Sequence, residues 1–427
     1  MAPLEPWEKA LVDAGTFLNT AHGQQSCTAC HGGTAAPEKD AAHEGMIASP
    51  SSDPQKLCGD CHQDQVASYP NALHNTQAGY WTVLDKRSGE VPENHPQLEE
   101  MFGNHCATCH TTCGECHVTQ PKNVGGGLFT GHVFEKTPPM TRSCTACHGS
   151  RVGNEYLGKN EGIPGDVHFR EGRMNCVKCH EGAELHGTPD ATATADHRLS
   201  GAEEPKCVDC HPTTAPGGDS NPMHQVHGEK LSCQVCHSVT YTSCDGCHVA
   251  ISDKSGNPFF ETDATYQTFL IGRNPIQSDE RPYAFVPVRH VPAAPDSYEY
   301  YGENLLPNFD SLPTWAYATP HNIQRNTPQN ASCESCHSET ANIFLTADKV
   351  NPEELAANAS VIVDANPPLV DLEKVLGAPN TPASHLEHVS NSCTACHTTG
   401  IRNSPISPED HVAYKDDNCL GCHKMSK

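Results

Sequence analysis

The sequence predicts short helical turns joined by irregular coil, with very little sheet, closed around a core that the polypeptide does not itself supply. Two observations carry this. All 24 cysteines fall into one repeated unit, Cys-x-x-Cys-His, which occurs twelve times in 427 residues. Only 36% of residues are hydrophobic, cysteines included, against 34 prolines and 33 glycines. That is too little aliphatic material for a conventional interior and too many breakers for long regular elements.

Numbered in chain order, motifs 1 to 6 are Cys27/Cys30/His31, Cys58/Cys61/His62, Cys106/Cys109/His110, Cys113/Cys116/His117, Cys144/Cys147/His148 and Cys176/Cys179/His180. Motifs 7 to 12 are Cys207/Cys210/His211, Cys233/Cys236/His237, Cys244/Cys247/His248, Cys333/Cys336/His337, Cys393/Cys396/His397 and Cys419/Cys422/His423. A zinc half-site, a redox dithiol or a disulfide pair would not require histidine directly after the second cysteine. Histidine is 28 of 427 residues, so its presence in all twelve motifs is not chance. Covalent c-type haem attachment does require it. Each cysteine adds to one porphyrin vinyl, and the adjoining imidazole lies under the iron as proximal ligand. The predicted fold class is therefore a multihaem cytochrome c with a haem-packed core, and the cofactor is haem c, twelve per chain. Without haem the chain should scarcely fold, because too little else offsets its conformational entropy.

Spacing divides the chain. Cys27 to Cys58 is 31 residues, and Cys113, Cys144, Cys176 and Cys207 follow at 31, 32 and 31, a loose repeat of one haem per turn of the chain. Two close couples interrupt it: Cys106 with Cys113, separated after His110 only by Thr111 and Thr112, and Cys233 with Cys244. Such neighbours must bring their haems edge to edge or face to face, and electron tunnelling falls exponentially with that separation. Residues 1–248 form a haem-dense region with nine sites, and residues 333–427 a C-terminal region with three. Residues 249–332 carry no motif but hold 12 of the 25 aromatics, with Pro-rich runs such as "PVRHVPAAP". They are expected to pack as an extended segment along the haems, or to form an interface, where aromatics are favoured.

The second axial ligand decides whether iron can bind a substrate. Sixteen histidines lie outside the motifs. The expected distal ligands are His22, His43, His74, His132, His168, His186, His224, His227, His290, His321, His388 and His411, with His105 and His385 in reserve. Several stand a few residues before a motif, so one turn of chain could anchor one haem while capping another. His95 and His197 read as solvent residues, and only Met140, Met174 and Met223 are placed to compete as ligands. Bis-histidine haems should have low potentials. No Cys-x-x-Cys-Lys variant occurs, so an electron-transfer protein with no catalytic residues is expected, with one vacant haem face left as the enzymatic alternative.

The formal net charge is −25, and ionised propionates on ferric haems take the holoprotein to about −37, which excludes nucleic acid as a partner. Cysteine–haem ligation occurs outside the cytoplasm, so the chain is expected to be exported. Residues 1–25 show no signal-like basic start and apolar stretch, so the numbering reads as that of the mature protein. No run approaches the apolar length of a membrane span. The expected location is extracellular or cell-surface, with the periplasm as alternative.

The stretch "AHGQQSCTACHGG" leading to "AHEGMI" and "CGDCH", with the couple "CATCHTTCGECHV", resembles the multihaem c-type cytochromes of anaerobic metal-reducing and syntrophic microbes. The resemblance implies electron exchange with other cytochromes or extracellular acceptors and donors. It also admits a homopolymer, since some such cytochromes stack head to tail into conductive filaments, or nanowires, and others are discrete carriers or terminal metal reductases. Filament subunits commonly borrow a distal histidine from the next subunit, and the resemblance points here to a terminal residue such as His22 or His411.

Overall fold

The structure is a computed structural model that describes residues 4–91, 95–109, 111–187, 204–216, 218 and 222–368. Its helices are short. Most span four to six residues, and the two longest are Ala78–Ser88 and Pro96–His105, of 11 and 10 residues.

Most described motifs sit in such turns, because a helix places residues three apart on one face. The two cysteines of Cys-x-x-Cys then point the same way and the histidine follows beside them. Capping residues start several turns. Ser26 accepts from the Ala29 amide at the head of Cys27–His31, and Thr112 with Glu115 forms a capping box for Cys113–His117.

Motifs 2 and 9 depart from the expected helical turn. In motif 2, Cys58 closes the helix Pro54–Leu57, and Cys61 follows in a turn outside it, its amide donating to the Cys58 carbonyl at 3.2 Å. Cys61 is exposed, as are Cys27, Cys179, Cys207, Cys210 and Cys244. The residues flanking Cys61, namely Asp60, Gln63, Asp64 and Gln65, are polar and exposed.

Motif 9 lies in strand β1 (Ser243–Ile251), antiparallel to β2 (Pro258–Gln267). Gly246, inside the motif, has φ +63°, and the ladder shifts register on either side of Asp245. The glycine lets the strand bulge, and the bulge turns the residues after it.

The haem-free segment is more regular than an extended cover. It supplies a second, antiparallel sheet in the order β3 (Leu270–Arg273), β4 (Phe285–His290), β5 (Trp315–Tyr317). Here the chain's aliphatic residues collect into a conventional core: Val286, Val288, Leu345 and Val361 are fully buried, joined by Leu270, Trp315 and Val350. A neighbouring cluster of Val235, Ile271, Phe344 and Val363 packs against Cys236 of motif 8 and Cys336 of motif 10. A third joins the two longest helices through Leu84, Leu98, Met101 and Phe102 to Leu305, Leu306 and Phe309, with Cys106 of motif 3 against it. Each cluster thus ends at haem-attachment cysteines or serves the scaffold around them. Low overall hydrophobicity hid this, because the apolar residues are concentrated rather than absent.

Candidate haem sites

Eight motif histidines each face a histidine from outside the motifs. The ring-centre separations are 5.8 Å for His31 with His132, 5.9 Å for His62 with His22, 6.1 Å for His148 with His74, and 6.1 Å for His117 with His186. They are 6.3 Å for His180 with His321, 6.0 Å for His211 with His168, 6.3 Å for His237 with His224, and 6.0 Å for His337 with His227.

These are not stacking contacts. Where His22 does stack on a ring, with Phe134, the centres are 3.9 Å apart. Interplanar angles in the eight pairs run from 11° to 80°, as expected of two rings free to turn about one shared axis. A metal bonded at about 2 Å to each of two imidazole nitrogens, with each ring centre roughly 1 Å further back, holds the centres about 6 Å apart. The pairs therefore fit the two axial positions of a haem iron. Among the described residues no group of three or more His, Cys, Asp or Glu side chains could hold a metal ion, which leaves the zinc reading without a site there.

In several pairs the second ring nitrogen is engaged, although the buried Nδ1 of His132 has no hydrogen-bond partner. Nδ1 of His31, His117 and His237 meets the carbonyl oxygen of Ile47, Glu135 and Gln324 at 2.8, 2.7 and 3.2 Å. His180 Nδ1 meets the Glu184 carboxylate at 2.9 Å. Among the partners, His168 Nδ1 meets Asp166 Oδ1 at 3.0 Å, and His227 and His321 meet backbone carbonyls of Met223 and Thr319. An Nδ1–H donated this way fixes the tautomer and leaves Nε2 as the free donor atom for a metal.

In eight of these sixteen rings burial favours the neutral form, which ligation needs. Burial pushes the His148 imidazole down to about 4, helped by His74, His321 and His180. Burial likewise lowers His22, His74, His132, His186, His227, His237 and His321. Hydrogen bonds to Asp166 and Glu184 raise His168 and His180 instead. His132 is held at φ +77°, an uncommon backbone for a residue with a side chain.

The Thr111–Thr112 linker is locked in place. The buried Tyr69 hydroxyl donates to Thr111 O at 2.8 Å, and Thr111 Oγ1 donates to the His74 carbonyl at 3.1 Å. Thr112 Oγ1 meets Ser51 Oγ at 2.8 Å. Thr111, one of the two residues that separate motifs 3 and 4, therefore also holds the backbone of His74, which faces motif 5.

Sulfurs of different motifs come together as well. Cys109 is within hydrogen-bond reach of Cys147, Cys144 of Cys176, and Cys207 of Cys233. Cys58 neighbours both Cys30 and Cys113, Cys116 neighbours Cys144, Cys179 neighbours Cys210, and Cys236 neighbours Cys336. Motif 2 therefore reaches its neighbours through Cys58. All described cysteines are free of disulfides.

Of the expected distal histidines, His22, His74, His132, His168, His186, His224, His227 and His321 make these pairs. Two are placed otherwise. His290 has Nδ1 at 2.9 Å from Asp245 and Nε2 at 3.0 Å from Glu354, so both nitrogens are taken by carboxylates. His43 has Nδ1 on the Lys39 carbonyl at 2.6 Å and meets no motif histidine among the described residues. The reserve His105 turns Nε2 to the Tyr301 hydroxyl at 2.7 Å. His95, read as a solvent residue, buries Nδ1 without a hydrogen-bond partner. His22, a resemblance-based candidate for donation to another subunit, faces His62 of its own chain. His110, Cys393, Cys396, His397, Cys419, Cys422, His423, His197, His385, His388 and His411 lie outside the described residues. Sequence reasoning missed the acidic residues that serve the rings. Glu184, one helical turn after His180, and Asp166, two residues before His168, carried a local signal, whereas Asp245 and Glu354 carried none.

Paired imidazoles beside paired cysteines define a c-type cytochrome, an electron-transfer protein with covalently bound haem c. Residues 57–149, which span motifs 2 to 5, match the model of the family described as cytochrome c554 and c-prime. No curated protein and no solved structure matches this chain. Among the described residues no helix is long and apolar enough to cross a membrane.

Proposed function

We propose that the chain is a non-enzymatic conduit that moves electrons over long distances through twelve covalent haems, each gripped by its motif histidine and most by a second imidazole. The observation that carries this is the set of eight facing histidine pairs. Haem supplies an iron that cycles between ferric and ferrous states. The chain supplies two neutral imidazoles that leave no open face for substrate, and a scaffold that sets neighbouring sites close together. Sulfur neighbours support an order of sites that differs from chain order: motifs 1, 2, 4, 5, 6, 7, 8 and 10 in succession, with motif 3 branching beside motif 5. A pyridine haemochromogen assay should return twelve haems per chain; appreciably fewer would overturn the reading.

The conduit serves best as a subunit of an extracellular filament, exchanging electrons with other cytochromes or extracellular acceptors and donors. Support comes from the twelve motifs spread along the sequence, and from the exposed apolar side chains of Leu4, Trp7 and Leu11, available for a heterologous contact that does not close. Negative-stain microscopy tests it: filaments are expected, and only monodisperse particles at high concentration would leave a discrete periplasmic or cell-surface carrier.

A further inference from the structure

Motif 9 is the described site whose histidine is faced by an acid. His248 Nε2 lies 3.7 Å from Glu261 Oε2. Its Nδ1 meets the Gly246 carbonyl at 3.2 Å, so the ring is anchored as those of His31, His117 and His237 are, with Nε2 turned to the carboxylate. The arrangement follows from the strand geometry already described. The bulge at Gly246 shifts the β1–β2 ladder until His248 stands directly across from Glu261, and directly opposed residues of an antiparallel pair hold their side chains on one face.

Resting on the haem reading above, we infer that Glu261 is the second axial ligand of the motif 9 haem, which makes this site unlike its bis-imidazole neighbours. The separation is the span of one metal bonded to a nitrogen and an oxygen at about 2 Å each. As a bare ion pair the contact would contribute little, since the two side chains are 46% and 56% exposed. As an axial pair it has a clear consequence. A carboxylate is an anionic, weaker-field ligand than imidazole, so it favours high-spin ferric iron and a lower potential. Its exposure lets small anions compete for the same position.

The test uses the full-length, haem-loaded protein and its ferric EPR spectrum, with the haem count measured on the same sample. Wild type is expected to show one equivalent of high-spin haem. Glu261→His should abolish that signal by completing a bis-imidazole pair. Glu261→Gln should retain it and cut the azide concentration needed for half conversion by about tenfold, because the internal competitor is gone. The inference is overturned if wild type has no high-spin haem, or if that equivalent survives in Glu261→His with azide binding unaltered in Glu261→Gln. A haem count that holds at twelve in either case leaves the conduit reading standing and removes only the ligand assignment.

Discussion

His74 and His148 lie far apart in the chain, yet their rings face each other at 6.1 Å and the backbone of His74 is held by Thr111, between motifs 3 and 4. One site is therefore assembled from three stretches of sequence, and its parts can be removed one at a time.

Replacing His74 with alanine should open a single haem face. Reduced-minus-CO difference spectra are expected to show one additional equivalent of CO bound, with the haem count unchanged and a higher potential for that haem. Unaltered CO binding would mean that His148 is served by a different residue.

Tyr69→Phe removes the donor to Thr111 O and leaves a buried carbonyl without its partner. A loss of about 1–3 kcal/mol is expected. Thermal unfolding followed at the haem absorbance measures it, and an unchanged midpoint would show that the linker is held by its other contacts.

Glu155 is fully buried, 2.6 Å from Arg289 Nη1, and accepts the His321 backbone amide. Glu155→Gln strands the guanidinium and should cost about 3–5 kcal/mol. Because His321 faces His180, the variant should also disturb the EPR spectrum of one low-spin haem, which a purely structural defect elsewhere would leave alone.

His290 gives a pH dependence of known sign. Burial opposes its protonation, but Asp245 and Glu354 together outweigh burial and hold it above its ordinary 6.5. A histidine raised on folding contributes fully below its unfolded value, and the contribution fades as pH rises through the folded one. The gap in thermal midpoint between wild type and His290→Gln should therefore be widest near about pH 5.5 and shrink toward pH 8.5. A gap that stayed constant would remove the ionic component.

Much of the chemistry was readable before the fold. Twelve identical motifs announce attachment, and most of the described expected partners, such as His132 and His168, do face motif histidines. Their matching was not readable, because it depends on long-range folding. His168 stands just before motif 6 yet faces His211 of motif 7. His290 was misplaced for a similar reason: its carboxylate neighbours come from residues 245 and 354, which no local pattern connects. The β-conformation of motif 9 escaped because Cys-x-x-Cys-His reads as a helical turn, while Gly246 and the facing strand override that preference locally. The aliphatic core around Val286 and Val288 was diluted by the average composition.

The facing pairs also constrain biogenesis. When the chain is delivered N-terminus first, His62 already has His22 and His337 already has His227 available, whereas His31 must wait for His132 and His180 for His321. On the proposed haem reading, attachment and completion are separate events, and a nascent molecule would pass through a stage in which several irons carry one protein ligand. Premature truncation should leave such half-finished centres reactive toward peroxide and carbon monoxide, a vulnerability that the arrival of the later histidine closes at each of them.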